Sequence, residues 1–465
     1  MTRTRGGDPG GPIPGPRGRA ALRTLAGFGR DPLAELIRLH ARYGDAVRVP
    51  LRPGHDLVVL ARPEHAEHVL ASRQDNYVKG ITYEPMRAFL GDGLVTSNGP
   101  LWESQRRLVQ PLFNHRRVMD LVPVMVERVG DVVAQWKTLP DGTVVDVAEE
   151  MSRLTLDLAG ATLFGSDLRL AGGEIARAVG VMQGFAVRGM RNPLLIASPR
   201  LGLRTTPGHR RWRAAVETID AVIAGLIGER RARIRAGSPP QRADLLSVLL
   251  DARGASGGGI GDRQIRDELV TFLMAGHETS ATALDWAWIL LSTHPSVRRR
   301  MEDEVDAVLG DRPPAADDLP ALEWTRAVVS EVLRLYPPFW TLERDTLRDD
   351  VVDGIPIRSG TTVAVPPYLV HRHRDSWPNP EGFDPNRFVG SGDLGRHRYA
   401  WIPFGGGRRG CVGNVFAATE MVVVLTMLCQ GYRLDLGPAG RPTPLGAVTL
   451  QPRGGLHMVL SRRVR

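Results

Sequence analysis

Residues 404–413 read Phe-Gly-Gly-Gly-Arg-Arg-Gly-Cys-Val-Gly, and an apolar segment of helical character follows from Asn414 to about Leu428. Cys411 lies between glycines just before this predicted helix, where backbone N–H groups and the helix dipole lower a thiol pKa. Glycines also let the backbone approach a flat ligand and direct N–H groups at the sulfur. The segment therefore predicts a stabilised thiolate at a helix N-terminus.

The same glycines also fit a phosphate-binding pattern. Gly405, Gly407 and Gly410 match G-x-G-x-x-G after the strand-like residues 399–403, as in dinucleotide-binding folds. Such folds need alternating strands and helices after the loop, whereas this chain ends soon in strand-like segments, and no Gly-Lys-Ser/Thr follows. The dinucleotide interpretation, which predicts a colourless protein, is disfavoured. A lone thiolate instead suits one axial position of a haem iron.

The alternative interpretation is a buried cysteine that acts only as a small hydrophobic residue. This interpretation fits Cys429, inside the following helix, better than it fits Cys411. These two cysteines exclude a disulfide framework or a multi-cysteine zinc or iron–sulfur site within this chain. No run approaches ~18 apolar residues, and residues 1–19 lack the apolar core of a signal segment. We therefore expect a cytoplasmic protein with no membrane span.

The composition describes one large globular domain. The chain has 465 residues, 42% hydrophobic and 24% charged, and no linker or charge block divides it. We expect a flexible Pro/Gly-rich N-terminus at residues 1–19 and a single domain at residues 20–465. The net charge is +9, but all except two of the 60 basic residues are arginines. Because this bias is typical of GC-rich codon usage and no nucleic-acid motif accompanies it, nucleic-acid binding is not expected.

Hydrophobic periodicity predicts a mostly helical chain with small β-sheets towards both ends. The predicted helices span residues 32–43, 102–113, 118–136, 145–163, 210–236, 260–293 and 296–309. The predicted strands span residues 46–51, 57–60, 354–357 and 361–365, with further strand signals within 445–460.

An acid and an alcohol stand side by side in the middle of the longest predicted helix. Residues 275–280 read Ala-Gly-His-Glu-Thr-Ser, and apolar side chains such as Phe272 and Leu284 surround them. A threonine within a helix usually only bonds a backbone carbonyl. Glu278 and Thr279 therefore gain a function only from the context of other motifs, and His277 is interpreted as a helix residue, not as a metal ligand.

Two further motifs place arginine beside a partner on one helix face. Glu331 and Arg334 are three residues apart, where opposite charges meet, and Arg387 lies downstream in Phe-Asp-Pro-Asn-Arg-Phe. Trp102 and Arg106 are one turn apart and offer an N–H and a guanidinium to a carboxylate. Either pair alone could also be explained as polar side chains on a solvent-exposed helix face, where such a pair contributes little.

The four motifs occur in an order that resembles the cytochrome P450 family over nearly the whole chain. The segment Phe404-x-x-Gly407-x-Arg409-x-Cys411-x-Gly413 is similar to the haem-binding signature of that family. The resemblance implies a mainly α fold with minor β-sheets, in which haem b lies between the long central helix and the helix after the cysteine loop. Cys411 would be the axial iron ligand. The other haem contacts would be Trp102, Arg106, Arg344, Phe404, Arg409 and Gly413.

The resemblance also implies roles for the acid–alcohol motif. The helix segment would cross the distal face of the haem, Gly276 would leave room for dioxygen, and Thr279 with Glu278 would relay protons. Oxygen–oxygen cleavage needs protons in a dry pocket while the electron-rich thiolate pushes from the opposite side. On the thiolate side, the resemblance implies a buried triad in which Glu331 and Arg334 bond Arg387 and support the cysteine loop.

The implied activity is a haem-thiolate monooxygenase that inserts one atom of dioxygen into an unactivated C–H or C=C bond. No flavin domain follows the cysteine helix, so electrons would come from a separate ferredoxin and an NAD(P)H-dependent ferredoxin reductase. An acidic ferredoxin would dock near basic residues on the cysteine side. Those residues are Arg107, Arg116, Arg117 and Arg408. The alternatives are a peroxide-using haem-thiolate enzyme, which would not need the acid–alcohol pair, and a non-catalytic haem sensor.

By family position, the substrate pocket would draw on residues 83–94, 182–195, 339–342 and 448–449 and on the middle of the long helix. These segments are rich in apolar residues, which favours a lipophilic substrate such as a terpene, a polyketide or a fatty-acid-like molecule. The residues expected to line the pocket are Met86, Leu90, Phe185, Phe272, Ala275, Trp340, Thr341 and Val448.

Overall fold

The computed structural model describes residues 13–52, 54–166, 168, 172–191, 206–238, 244–252, 260–390, 395–438 and 440–463. Helices dominate this part of the chain. In chain order they are α1 (Arg19–Arg30), α2 (Pro32–Tyr43), α3 (Pro63–Glu67), α4 (Glu84–Leu90), α5 (Gly99–Val109), α6 (His115–Met119), α7 (Val122–Lys137), α8 (Val147–Leu163), α9 (Gly172–Arg191), α10 (Pro207–Arg235), α11 (Leu245–Asp251), α12 (Asp262–Thr293), α13 (Pro295–Leu309), α14 (Glu323–Leu335), α15 (Pro367–Val370) and α16 (Asn414–Gly431).

The described strands form four small sheets that join early and late parts of the chain. They are β1 (Ala46–Arg52), β2 (His55–Leu60), β3 (Tyr77–Val78), β4 (Thr143–Asp146), β5 (Leu342–Thr346), β6 (Asp350–Val352), β7 (Ile355–Ile357), β8 (Thr362–Val365), β9 (Tyr432–Leu436), β10 (Pro444–Gly446), β11 (Leu450–Pro452) and β12 (His457–Arg462). The largest sheet has the order β1-β2-β8-β5-β3, and its β2 and β8 run parallel. β4, β12 and β9 form an antiparallel sheet, while β6–β7 and β10–β11 are hairpins.

α12 is the central helix, and it is buried because its apolar side chains point in all directions. α8 packs along it, and α10, α14 and α16 also contact it. α16 is almost as apolar. Among the described residues it is the one helix long and apolar enough to cross a membrane, and 67% of it lies buried inside the fold. The site therefore forms around two helices held inside the protein core.

The predicted mainly helical fold with minor sheets is confirmed, and most element bounds agree. The helix predicted at residues 32–43 matches α2, where the side chain of Asp31 accepts a hydrogen bond from the N–H of Ala34. The helix predicted at residues 118–136 is instead two helices, because Pro123 in the first turn starts α7 anew. The predicted helix at residues 145–163 starts later because Val145 pairs in β4 with Met458 of β12.

Residues 13–19 contact β1 and lead into α1. The N–H of Arg48 in β1 donates to the carbonyl oxygen of Pro14 at 2.9 Å, and a Cβ atom on Gly15 would lie 1.9 Å from the carbonyl oxygen of Arg48. Residues 1–12 of the expected flexible N-terminus fall outside the described part. The division into residues 1–19 and a single domain at residues 20–465 stays a prediction.

Candidate active site

The cysteine loop is a closed turn at the N-terminus of α16. The N–H of Cys411 donates to the carbonyl oxygen of Phe404 at 2.8 Å and closes the base of the loop. Gly405 and Gly407 have φ values of 71° and 63°, in the left-handed region that favours glycine. A Cβ atom on Gly407 would also lie 1.8 Å from the carbonyl oxygen of Leu70. The geometry of the loop itself therefore requires these glycines.

Cys411 has accessible surface, although protein atoms surround its thiol closely enough to desolvate it. Burial raises the pKa of the thiol, whereas the N–H of Gly413 and the guanidinium of Arg106 lower it. Arg106 is held there because its Nη1 donates to the carbonyl oxygen of Gly410 at 2.8 Å. For the free thiol, desolvation outweighs these two groups, and the thiolate bound to iron stays a prediction.

Four cations lie beside the loop, and none of them forms an ion pair with a described residue: Lys79, Arg106, Arg344 and Arg409. Burial and the charges of the three arginines hold the pKa of the Lys79 ammonium well below its usual range. Burial and the neighbouring Arg344 lower the pKa of Arg409 to about 10. Buried like charges are costly unless an anion joins them. The cluster is therefore suited to an anionic ligand.

Neutral partners orient the cations without cancelling their charge. Arg409 donates to the carbonyl oxygen of Ser97 at 3.0 Å, and its guanidinium lies 4.3 Å from the centre of the buried Trp102 ring. Arg344 donates to the phenol oxygen of Tyr83 at 3.1 Å. Both guanidinium groups therefore keep a positive charge for a ligand while their positions are fixed.

These residues fit haem b at the two places where a protein must hold it. Cys411 offers an axial ligand, and the cation cluster offers partners for the two propionates. A Cβ atom on Gly413 would lie 4.0 Å from the Cys411 sulfur, which is an ordinary van der Waals distance. Phe404 is half-buried beside the loop, edge-on to Trp401. When bound, the haem supplies the redox chemistry that activates dioxygen.

α12 is half-buried at three positions in the middle of its otherwise buried length: Ala275, Gly276 and Thr279. Ala275 and Thr279 share one face, and the Thr279 hydroxyl donates to the Ala275 carbonyl oxygen at 2.7 Å, which leaves its lone pairs free to accept. A Cβ atom on Gly276 would instead contact Leu163 and Ala159 of α8 at 3.5 and 3.6 Å. These are ordinary van der Waals distances, so the expectation that Gly276 leaves room for dioxygen stays a prediction.

Glu278 is buried, and its carboxylate accepts hydrogen bonds from three side chains on two other segments. Oε1 accepts from the Thr449 hydroxyl at 2.6 Å and from Gln451 Nε2 at 3.0 Å. Oε2 accepts from the side-chain amide of Gln183 on α9. Burial raises the pKa of Glu278 to about 7, and the bonds from Thr449 and Gln451 oppose that rise. Glu278 and Thr279 are adjacent on the helix, but their side chains bond different partners.

The structure brings Glu331, Arg334 and Arg387 together in the core. Arg334 donates to the two carboxylate oxygens of Glu331 at 2.6 and 2.8 Å, and both side chains are fully buried. Arg387 Nε lies 3.4 Å from Glu331 Oε1. The other N–H groups of Arg334 donate to the carbonyl oxygens of His371, Pro380 and Gly382 at 2.9, 2.7 and 2.9 Å. All five donors of this guanidinium are therefore used.

His371 links this triad to the cysteine loop, and the sequence alone does not reveal it. Its Nδ1 bonds the carbonyl oxygen of Arg334 at 3.0 Å. Its Nε2 accepts from the N–H of Ile402 at 2.7 Å, two residues before Phe404. Burial lowers the pKa of His371 to about 3, so the ring is neutral and Nε2 can accept. The triad thus supports the loop through one histidine.

The residues expected to line the substrate pocket have varied contacts. Trp340 Nε1 donates to the carbonyl oxygen of Ala447 at 3.0 Å, and the Thr341 hydroxyl donates to Glu343 at 2.8 Å. Met86 and Val448 are half-buried and Leu90 is buried, all against the main core.

Two expected pocket aromatics stack on neighbouring segments. Phe272 stacks on Phe113 with ring centres 5.5 Å apart, and Phe185 stacks on Trp212 of α10 at 5.1 Å. The Phe185 ring therefore lies between α9 and α10. This position agrees with the helix period, which places residue 185 on the opposite side of α9 from Gln183. Residues 192–195 of the expected segment lie outside the described residues.

Sequence reasoning missed Lys79, Gln183 and Gln451 as members of the site. Lys79 is one of two lysines in the chain, and its rarity is the only signal that was available. The glutamines lie more than 80 residues from Glu278 along the chain, and no local pattern marks them. Such contacts become visible only once the fold brings α9 and the β10–β11 hairpin to α12.

The fold and the cysteine site together are of the kind that would hold a haem with a cysteine as the axial ligand. The family model for cytochrome P450 matches residues 12–458. A Mycobacterium tuberculosis protein provisionally named cytochrome P450 132 is 36% identical over 88% of this chain and 89% of its own length. The chain therefore belongs to the cytochrome P450 family.

Other relatives and a solved structure agree. The pentalenene oxygenase of Streptomyces avermitilis is 31% identical over 93% of this chain and 94% of its own length. The cyclooctat-9-en-7-ol 5-monooxygenase of Streptomyces melanosporofaciens is 33% identical over 89% of this chain and 86% of its own length. The crystal structure of the cytochrome P450DA haem domain is similar with a TM-score of 0.85 and 26% identity, covering 98% of both chains.

Proposed function

We propose that this cytochrome P450 monooxygenase hydroxylates or epoxidises a lipophilic small molecule of secondary metabolism, with a terpene as the first candidate and a polyketide as the second. Two Streptomyces relatives are terpene-modifying enzymes. The apolar side chains of Met86, Leu90 and Val448 suit such a substrate, because apolar pockets bind apolar ligands.

One observation favours oxygen insertion over the alternatives: the acid–alcohol pair of α12 is suited to proton transfer. Glu278 is buried with a pKa of about 7, and a group that titrates near the working pH both gives and takes protons efficiently. Thr279 beside it is half-buried and keeps acceptor capacity. A peroxide-using enzyme would not need this pair, and neither would a haem sensor.

We further propose that the cofactor is haem b, that the enzyme works in the cytoplasm, and that electrons arrive from a separate ferredoxin and its NAD(P)H-dependent reductase. Arg107, Arg116 and Arg117 on α5 and α6 are exposed and form no ion pair with a described residue. Arg408 contributes less, because it already pairs with Glu103 at 3.0 Å. An acidic ferredoxin would complement this basic surface, so reduction of the haem should slow as salt rises.

The test is turnover under ¹⁸O₂ with ferredoxin, reductase and NADPH, using a panel of cyclic terpenes with sugar acids as the polar controls. We expect a substrate-induced spectral shift and a product that gains one ¹⁸O atom with terpenes only. Product formation from hydrogen peroxide alone, at the same rate and without the reductase system, would favour the peroxide-using alternative. Ligand binding without any turnover would favour the sensor.

A further inference from the structure

Glu278 is held by hydrogen-bond donors that carry no charge. The Thr449 hydroxyl and the Gln451 amide bond one carboxylate oxygen, and the Gln183 amide bonds the other. We call these three residues the donor clamp. A carboxylate accepts such bonds more strongly than a carboxylic acid does, so the clamp favours the ionised form while burial favours the protonated form. Two opposing effects therefore act on one proton, and burial is the larger of the two.

One arm of the clamp is fixed rigidly to the core. The indole of Trp286 on α12 donates to the carbonyl oxygen of Leu450 at 2.6 Å, and the indole of Trp340 donates to that of Ala447 at 3.0 Å. These bonds hold the β10–β11 hairpin at both sides of Thr449. The hydroxyl of Thr449 and the amide of Gln451 are thereby presented to Glu278 from a fixed backbone.

The other arm comes from a different element. Gln183 lies on α9, next to the fully buried Met182, in the segment expected to border the substrate pocket. α9 contacts α10, α8 and α4, and it shares no strand or hairpin with residues 444–452. The clamp therefore joins two separate parts of the molecule, the hairpin and α9, through a single carboxyl group.

Most charged groups around Glu278 are engaged elsewhere. On its own helix, His277 bonds the Ser152 hydroxyl of α8 at 2.8 Å, and burial lowers its pKa to about 4, so it is neutral. On the hairpin side, Arg453 pairs with Asp31 at 2.6 Å. On the packed helices, Glu174, Arg177 and Arg188 of α9 are exposed, and Asp157 of α8 lies 4.0 Å from Arg128.

Two further acids near this part of α12 are buried without a charged partner among the described residues. They are Asp285 of α12 and Glu420 of α16. Burial raises the pKa of both carboxyl groups, that of Glu420 to about 8. The infrared band of Glu278 therefore has to be distinguished from the bands of these acids, which the Glu278→Gln variant does.

We propose that Gln183 and Gln451 are positioning residues for proton delivery: together with Thr449 they hold the Glu278 carboxyl and determine whether it is protonated at neutral pH. This inference rests on the proton-relay role of Glu278 in the proposed function. Loss of Gln183 leaves Oε2 without a donor, and loss of Gln451 leaves Oε1 with the Thr449 hydroxyl alone. In either case burial is opposed less strongly, and the carboxyl keeps its proton to higher pH.

The matched control lies on the same helix. Gln264 Nε2 donates to Glu268 Oε1 at 3.2 Å, and burial raises the pKa of Glu268 to about 7 as well. Gln264→Met removes an amide donor from an equally buried acid ten residues from Glu278. It therefore separates a specific effect on Glu278 from a general effect on buried acids of α12.

The experiment is an infrared pH titration of the holoenzyme that follows the carbonyl stretch of the protonated Glu278, assigned by its absence in Glu278→Gln. In Gln451→Met and in Gln183→Met we expect the midpoint of this band to rise by about one pH unit. Gln264→Met should leave it in place. Product coupling should then extend to higher pH in both clamp variants.

Unchanged midpoints in both clamp variants would overturn the proposal, as would an equal shift in Gln264→Met. Because α9 carries Gln183 independently of the hairpin, Gln183→Met decides the matter if Gln451→Met does not fold. The titration needs no turnover, so it is informative even if the protein proves not to be a monooxygenase. A shifted midpoint with an unchanged pH profile of coupling would contradict the relay role of Glu278 and leave the clamp standing.

Discussion

The two sides of the haem site are built by opposite means. Around the cysteine loop, Arg334 uses all five of its donors and faces a charged partner, Glu331. On α12, Glu278 has only neutral partners, and its pKa lies at about 7. The first arrangement supports the cysteine loop in one position, whereas the second holds a carboxyl group whose pKa lies near neutral. A charged network thus provides rigidity, and a neutral one provides chemistry near neutral pH.

The largest effect should come from breaking the charged network. Arg334→Met leaves Glu331 buried without its main partner, which costs roughly 3–5 kcal/mol. We expect little or no folded holoenzyme, measured by urea unfolding and by haem content. The control Arg312→Met removes an exposed ion pair with Asp318, and the midpoint of urea unfolding should not change. A stable Arg334→Met holoenzyme would show that the triad does not support the loop.

The two sides should also differ in their pH dependence. Glu278 titrates at about 7 in the fold against an ordinary value of 4.5, so the folded state holds an extra proton and stability falls as pH rises from 4.5 to 7. His371 titrates at about 3 against 6.5, so the unfolded state holds the extra proton and stability falls as pH drops from 6.5 to 3.

Glu278→Gln isolates the first of these effects. Relative to the unaltered protein, its free energy of unfolding should increase between pH 5 and pH 8 by roughly 3 kcal/mol, the equivalent of the raised pKa. The loss of stability below pH 6.5 should remain, because His371 is unchanged. Urea unfolding at pH 5, 6.5 and 8 measures both, and a difference between the two proteins that is independent of pH would contradict the raised pKa.

Lys79 allows a third comparison, because its ammonium group has no anionic partner among the described residues and would find one in a bound ligand. Lys79→Met removes an ammonium group that has no anionic partner among the described residues, and with it the charge-assisted hydrogen bond that this group would donate to a propionate. We expect haem transfer to apomyoglobin to become about tenfold faster. Lys137→Met, which changes the other lysine, is the control. Equal transfer rates in both variants would place the propionates elsewhere.

The smallest effect on structure should accompany Thr279→Ala. The variant loses the hydroxyl on the half-buried face of α12, and we expect the yield of product per NAD(P)H to fall about tenfold with no change in unfolding. Thr293 makes the same backbone bond at the end of the helix, to Ile289 at 2.9 Å. Thr293→Ala should therefore keep normal coupling. A drop in both variants would point to helix distortion, not proton transfer.

The same contrast explains what the sequence could predict. The cysteine loop is a contiguous segment whose glycines are needed by its own backbone, so residues 404–413 identify it directly. Glu331 and Arg334 also stand together on one turn. Gln183 and Gln451 reach Glu278 from distant segments, and His371 acts through Ile402. Local patterns record what the backbone demands locally, whereas these contacts depend on how helices and hairpins pack.

Two other residues show what a motif cannot reveal. Burial raises the pKa of the free Cys411 thiol, and burial cannot be inferred from a motif. A Cβ atom on Gly276 would be directed at Leu163, and this direction depends on which helix lies beside α12. In both cases the residue type was informative, but its surroundings decided its role.

The most direct test of the account is the absorption spectrum of the reduced protein with carbon monoxide. We predict the strongly red-shifted Soret band of thiolate-ligated haem, present in the unaltered protein and in Cys429→Ser and absent in Cys411→Ser. Freshly prepared, folded holoprotein that lacks this band, or a Cys411→Ser variant that retains it, would contradict Cys411 as the axial ligand on the rigid side of the site.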